Sequence, residues 1–263
     1  ANYNISFDFS LLSDDQIMKL YREHYHAHMK LYRFARIPEA LDRGEEIFTH
    51  YLIDYLHKQC ESKDKRKIND IFFRLTTPEK PSITQEEIFE LLKIVDFIKI
   101  LDQSILFRTN DRRLVLKATP SVLQKIYAHS EKWGFLNYHG YGSREIPDIH
   151  YFILKISEYM QSRCKWINEK EYKKILETTR IEKRILYKKY KIDVSHKKLF
   201  DIYSELSLSK LFRRYIQLKN FYFLDKLVSQ IALRSGCEEG IIRCLLPEEI
   251  INLLKGKLKV DYS

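Results

Sequence analysis

Apolar residues recur at three- and four-residue steps along nearly the whole 263-residue chain, a period that commits it to helices. After Leu12-Ser13-Asp14-Asp15, which offers a serine or aspartate cap, Ile17, Leu20, Tyr21, Tyr25, Met29, Tyr32 and Phe34 form one broad apolar stripe. It runs to about residue 36, and Pro38 ends or restarts the helix. Ile47, Phe48, Tyr51, Leu52, Tyr55 and Leu56 repeat the pattern after Gly44. The charged joint Lys63-Asp64-Lys65-Arg66-Lys67 then leads into a short helix through Ile71, Phe72 and Leu75. Seven glycines and six prolines are too few for a turn-rich β architecture. The expected fold is an all-α, irregular multi-helix bundle with a glycine- and aromatic-rich loop at about 133–148.

Pro78 and Pro81 make Thr76–Ser82 an extended joint, with Ser82 or Thr84 capping a strong helix over 84–101. Residues 105–116 read as two short helical turns or as a hairpin around Asn110-Asp111, with helix preferred from the surroundings. Pro120 starts a helix that runs to Trp133, and helices resume over about 148–164, 168–191 and 195–234. Gly236 is a C-cap, Pro247 opens a last helix and Gly256 closes it. The expectation is one helical domain over 1–263, subdividing if anywhere near 76–82, with a long basic helical hairpin over 163–234.

A hydrophobic content of 44% can bury a core and excludes a disordered tail. No GxGxxG or GxxxxGK[ST] phosphate loop occurs. No apolar run approaches the roughly 18 residues that span a bilayer, and Ala1-Asn2-Tyr3-Asn4 lacks the features of a signal peptide. Starting on Ala suggests a processed chain or a piece of a longer one. Cys60, Cys164, Cys237 and Cys244 fit neither zinc-knuckle nor disulfide-framework spacing. Reduced thiols, a cytoplasmic location and no membrane are therefore expected.

The formal charge is +10, and residues 163–198 hold 13 Lys and Arg against five Asp and Glu, an excess of +8. Trp166, Tyr172, Tyr187 and Tyr190 are interleaved with these cations. One reading is a standalone nucleic-acid-binding module that meets an anionic partner through Lys173, Lys174, Arg184 and Lys188. The other is a solvated helix whose edge of Ile175, Leu176, Ile181, Ile185 and Leu186 packs inward. The lack of any recognised nucleic-acid motif favours the second.

Few residues offer chemistry. His24 and His28 share a helical face while His26 points about 160° away, and no HExxH glutamate accompanies them, so no metal is expected. Ser195-His196 lacks the glycines of a phosphohistidine carrier loop, and a serine N-cap explains it better. His57 and Cys60 stand at i,i+3 without a third orienting group. The segment Trp133–Asp148 is more suggestive, because three of the seven glycines fall in nine residues there, among aromatics and ionisable side chains. Glycine lets backbone approach a ligand. Arg144 can bind phosphate or carboxylate, Glu145 or Asp148 can orient it, and His139 can donate to developing negative charge. The structural alternative has Trp133 and Phe135 plugging the core and Asp148 capping the next helix. A small-molecule-binding enzyme would need a closed pocket here.

Three segments resemble a known family. Leu75-Thr76-Thr77-Pro78-Glu79-Lys80-Pro81-Ser82 resembles the "TTPEEPS" joint of archaeal and bacterial phosphoenolpyruvate-synthase-like proteins. Trp133-Gly134-Phe135-Leu136 with Tyr138 is similar to that family's "YGWL…Y" element. Leu245-Leu246-Pro247-Glu248-Glu249-Ile250, continuing to Lys257, resembles its "LTPEEI…LLKGK" element. In longer relatives this central helical region lies between an ATP-grasp domain and a swivelling phosphohistidine domain. The family moves a phosphoryl group from ATP, with Mg, through a histidine to pyruvate or another acceptor. His139–Glu145 with Asp148 is similar to the "GHRGPxExD" element of the related rifampicin phosphotransferases, whose central helical domain forms the acceptor's site. The resemblance implies a small-molecule acceptor contacted by Trp133, Tyr138, His139, Tyr141, Arg144, Glu145 and Asp148. It also implies ATP-grasp and phosphohistidine domains or subunits as partners. This chain shows no ATP-grasp pattern, carrier loop or pyruvate barrel, so no cofactor and no catalytic residue is expected within it.

Overall fold

The computed structural model describes residues 8–42, 46–108, 112–138, 149–162 and 166–258, and every regular element among them is helical. The α-helices are α1 (Asp14–Ala35), α2 (Ile37–Asp42), α3 (Ile47–Gln59), α4 (Lys65–Thr76), α5 (Ile83–Ile100), α6 (Ser104–Arg108) and α7 (Arg112–Val115). There follow α8 (Pro120–Trp133), α9 (Ile149–Gln161), α10 (Glu169–Lys189), α11 (Val194–Ser235), α12 (Glu239–Cys244) and α13 (Pro247–Leu254). Short 3-10 turns cover Phe9–Leu11 and Gly134–Asn137. The hairpin reading around Asn110-Asp111 lies outside the described residues.

Most boundaries follow capping chemistry. Ser13 Oγ accepts from Gln16 N, and the Gln16 side chain returns to Ser13 N. The same reciprocal box joins Ser82 to Gln85 and Asn168 to Glu171, each satisfying backbone donors that a helix start leaves open. Asp64 accepts from Arg66 N and Lys67 N at the start of α4. Gly236 and Gly256 both sit at φ +68°, the left-handed geometry that ends a helix most easily on glycine.

The chain divides into two compact units. One comprises 1–34, 124–152 and 215–263, and the other 35–123 and 153–214. The core of the first unit gathers Phe9, Ile17, Leu20 and Tyr21 with Phe135, Tyr138, Leu218, Phe221–Phe223, Leu227, Val228, Ile231, Ile242, Ile250 and Leu253. Arg234 pins its N-terminal turn, pairing with Asp14 at 2.7 Å and donating to the Leu12 carbonyl at 2.6 Å. The core of the second unit joins Leu52 and Leu56 of α3 to Ile68, Ile71, Phe72 and Leu75 of α4, and to Ile192 and Phe200.

Two expected apolar faces are corrected. On α1 only Ile17, Met18, Leu20 and Tyr21 are buried, while Tyr25, Met29 and Phe34 are exposed. On α10 the expected inward edge is mostly outside. Ile175, Ile181 and Ile185 are exposed, Leu186 is half-buried, and the two buried side chains are Leu176 and Lys183. These two are seven residues apart, hence two turns along one face.

Candidate functional site

Of the seven residues expected to contact an acceptor, Trp133 and Tyr138 are placed; His139, Tyr141, Arg144, Glu145 and Asp148 lie outside the described residues, as does the proposed Asp148 cap. Trp133 and Phe135 are buried, as the structural reading expected. Trp133 tilts against Tyr215 with ring centroids 5.8 Å apart, and Phe135 lies 5.2 Å from Tyr222.

Tyr138 begins a polar chain that sequence reasoning missed. Its hydroxyl donates to Asp225 Oδ2, and Asp225 Oδ1 pairs with Arg243 Nη1. Arg243 Nη2 lies 3.7 Å from Glu239 Oε2, and Ser229 Oγ donates to Glu239 Oε1 at 2.7 Å. Tyr222 stands edge-on to Tyr138, and burial pushes its phenol up to about 12. Burial also lowers the pKa of Lys226, whose ammonium lies 4.9 Å over the Tyr222 ring; the Asp8 carboxylate opposes the shift. Both Nη atoms of Arg243 face carboxylates, so this chain positions Tyr138, where the backbone enters 139–148, rather than holding an anion. The i,i+4 spacing of Glu239 and Arg243 was the one signal available. Nothing local links Tyr138 or Asp225 to them.

The basic segment separates into two parts. Glu169 holds both Lys173 (2.8 Å) and Lys93 (2.6 Å), whose hydrogen bonds bring its carboxyl down to about 2. Glu79 holds Arg180 (3.3 Å) and the buried Lys183 (3.3 Å). All of these but Lys183 line a groove of about 660 Å³ with Phe89, Tyr172, Leu176 and Pro81 among its walls. Three of its cations, Lys93, Lys173 and Arg180, are thus held by its own carboxylates, and the fourth, Lys80, by Glu205 outside it. Of the four cations expected to meet an anionic partner, Lys173 is engaged. Lys174, Arg184 and Lys188 are exposed and pair with no acidic group among the described residues.

The remaining candidates resolve structurally. His24 and His28 share a face as expected. Burial, aided by His28, brings the His24 imidazole down to about 4 and leaves its Nε2 without a hydrogen bond, while His28 Nδ1 meets Asn220. Among the described residues no three His, Cys, Asp or Glu side chains form a metal-holding group. His57 Nδ1 lies 2.8 Å from the Ser62 carbonyl, and burial raises the Cys60 thiol, which disfavours a thiolate.

The serine cap expected at Ser195 is corrected. Asp193, immediately before α11, accepts from His196 N at 2.9 Å, and Ser195 lies inside the first turn. Asp193 Oδ2 also takes the His196 ring at Nδ1 (2.6 Å) and the Tyr55 hydroxyl (2.9 Å). Accepting these bonds, His196 N foremost, brings its carboxyl to about 2. His196 Nε2 lies 3.2 Å from the Tyr51 hydroxyl, and its ring stacks on Tyr55 at 3.4 Å.

No family model, no curated protein and no solved structure matches the chain. No helix among the described residues is long and apolar enough to cross a membrane.

Proposed function

We propose that the chain is a helical, acceptor-side region of a phosphoenolpyruvate-synthase-like phosphotransferase. It would position an ATP-grasp nucleotide-binding domain and a phosphohistidine domain, and lend residues 133–148 to the pocket of a small-molecule acceptor. ATP, Mg and the carrier histidine would come from those partners, and this chain alone would catalyse nothing. The observation that carries the reading is the ordered set of three segments at 75–82, 133–138 and 245–257.

The use each segment finds is compatible with such a role. The first supplies Glu79 to Arg180 and Lys183 and the Ser82 capping box. The second buries Trp133 and Phe135 and hands Tyr138 to Asp225. The third opens α13 with Pro247 at the first turn, where proline's missing N–H is least harmful. Each is thus a joint that fixes where a helix begins or ends, which suits a positioning part.

The test is the composition of the complete reading frame and its neighbours, followed by co-expression. An ATP-grasp domain or a phosphohistidine loop encoded with this chain, and a stable complex between them, is the expected outcome. Phosphoenolpyruvate formed from ATP and pyruvate by this chain alone would overturn it.

A further inference from the structure

The α3–α4 and α10–α11 turns meet within one unit. Gln59 Nε2 donates to the Lys191 carbonyl at 3.4 Å, and Tyr55 bonds Asp193. Residues 57–67 and 188–198, far apart in sequence, thereby pool ten Lys and Arg against three carboxylates. None of the ten forms an ion pair with a described residue, and nine are exposed. Two of the three carboxylates are occupied, Asp64 by backbone N–H groups and Asp193 by His196 and Tyr55. Two of the ammonium groups, Lys67 and Lys189, one from each side of the junction, bear on Cys60. Beside this field lies a flat aromatic surface. Tyr51 is 51% exposed and within 11° of parallel to the His196 ring, which rests on Tyr55.

We propose that this tip binds single-stranded nucleic acid, its lysines meeting phosphates and Tyr51 stacking on a base. Clustered cations attract any polyanion. A half-open ring braced from behind adds what an acidic protein would not use and an unpaired base would. The site therefore overlaps only the end of the 163–198 run that composition suggests. On α10, Lys173, Arg180 and Lys183 are held by Glu169 and Glu79, and half of the pooled cations come from the α3–α4 turn.

The test is fluorescence anisotropy of a labelled 20-nucleotide single-stranded DNA with the full chain. Affinity is expected to fall about 100-fold between 50 and 200 mM salt, because bound counterions are released. Reversing Lys65, Arg66, Lys189 and Lys191 to Glu should weaken binding at least ~30-fold. Tyr51→Ala should weaken it about tenfold while Tyr51→Phe retains it. Reversal of Lys19, Arg22, Lys30 and Arg33, on α1 of the other unit, should change it less than about threefold, with circular dichroism confirming that each variant folds. Absence of binding at 50 mM salt would overturn the proposal. So would equal loss in both reversals, no effect of Tyr51→Ala, or equal displacement of the DNA by polyglutamate.

Discussion

Lys183 is a lysine in the core, with 3% of its side chain exposed and its ammonium 3.3 Å from the Glu79 carboxylate. The pair ties the proline-bearing joint to the buried face of α10, with Arg180 on the same glutamate at 3.3 Å. Glu79 itself is 41% exposed, so water screens the pair from one side. Removing the carboxylate still strands the buried ammonium, whereas replacing the ammonium by an apolar side chain of similar length is nearly neutral. Glu79→Ala is therefore expected to destabilise by about 1–2 kcal/mol and Lys183→Met by less than about 1 kcal/mol, read from urea midpoints at constant m-value. A larger loss for Lys183→Met than for Glu79→Ala would contradict this.

Asp225 is the hub of the Tyr138–Arg243 chain. Its replacement by Ala leaves the Tyr138 phenol without its acceptor and Arg243 with Glu239 alone, so a loss of about 2–3 kcal/mol is expected, against about 1 kcal/mol for Tyr138→Phe. A double-mutant cycle between positions 138 and 225 should show coupling of about 1 kcal/mol, and additive losses would separate the two residues.

His24 makes the fold acid-sensitive. Its folded pKa is about 4 against 6.5 in the unfolded chain, so the unfolded state binds the extra proton first. The contribution is complete above about pH 6.5 and is progressively lost as pH falls toward 4. Between pH 7 and pH 4.5 it amounts to roughly 2 kcal/mol. His24→Gln, which cannot be protonated, should flatten this part of the stability profile. An unchanged slope would place the sensitivity elsewhere.

Trp133 closes the first turn of the glycine-rich segment and is 1% exposed. Trp133→Ala is expected to cost about 3–5 kcal/mol, whereas Leu246→Ala, at a side chain 63% exposed, should shift stability by less than about 0.5 kcal/mol. Thermal melts of the two variants check both.

The helices were legible because their punctuation is local. Ser13, Ser82, Asn168, Gly236, Pro247 and Gly256 all sit where capping chemistry puts them. The inward face of α10 was not legible, because Ile175, Ile181 and Ile185 outweigh a lysine in any apolar count. What buries Lys183 is a carboxylate about a hundred residues earlier. Asp193 outcompetes Ser195 for the cap by standing one residue before the helix, a distinction smaller than the uncertainty of a sequence-read boundary. The Asp225 hub and the pooled charge of two distant turns are products of tertiary contact, so periodicity and spacing could carry no trace of them.

The role proposed for the chain is to serve phosphoryl transfer without performing it. The measurement that tests it is product formation from ATP, Mg and a small-molecule acceptor such as pyruvate, with the chain alone and with the ATP-grasp and phosphohistidine domains proposed as its partners. No product is expected from the chain alone, turnover when the three are combined, and at least ~10-fold lower kcat/KM for the acceptor with Arg144→Ala. Product from the isolated chain, or equal turnover when the chain is left out, would contradict it.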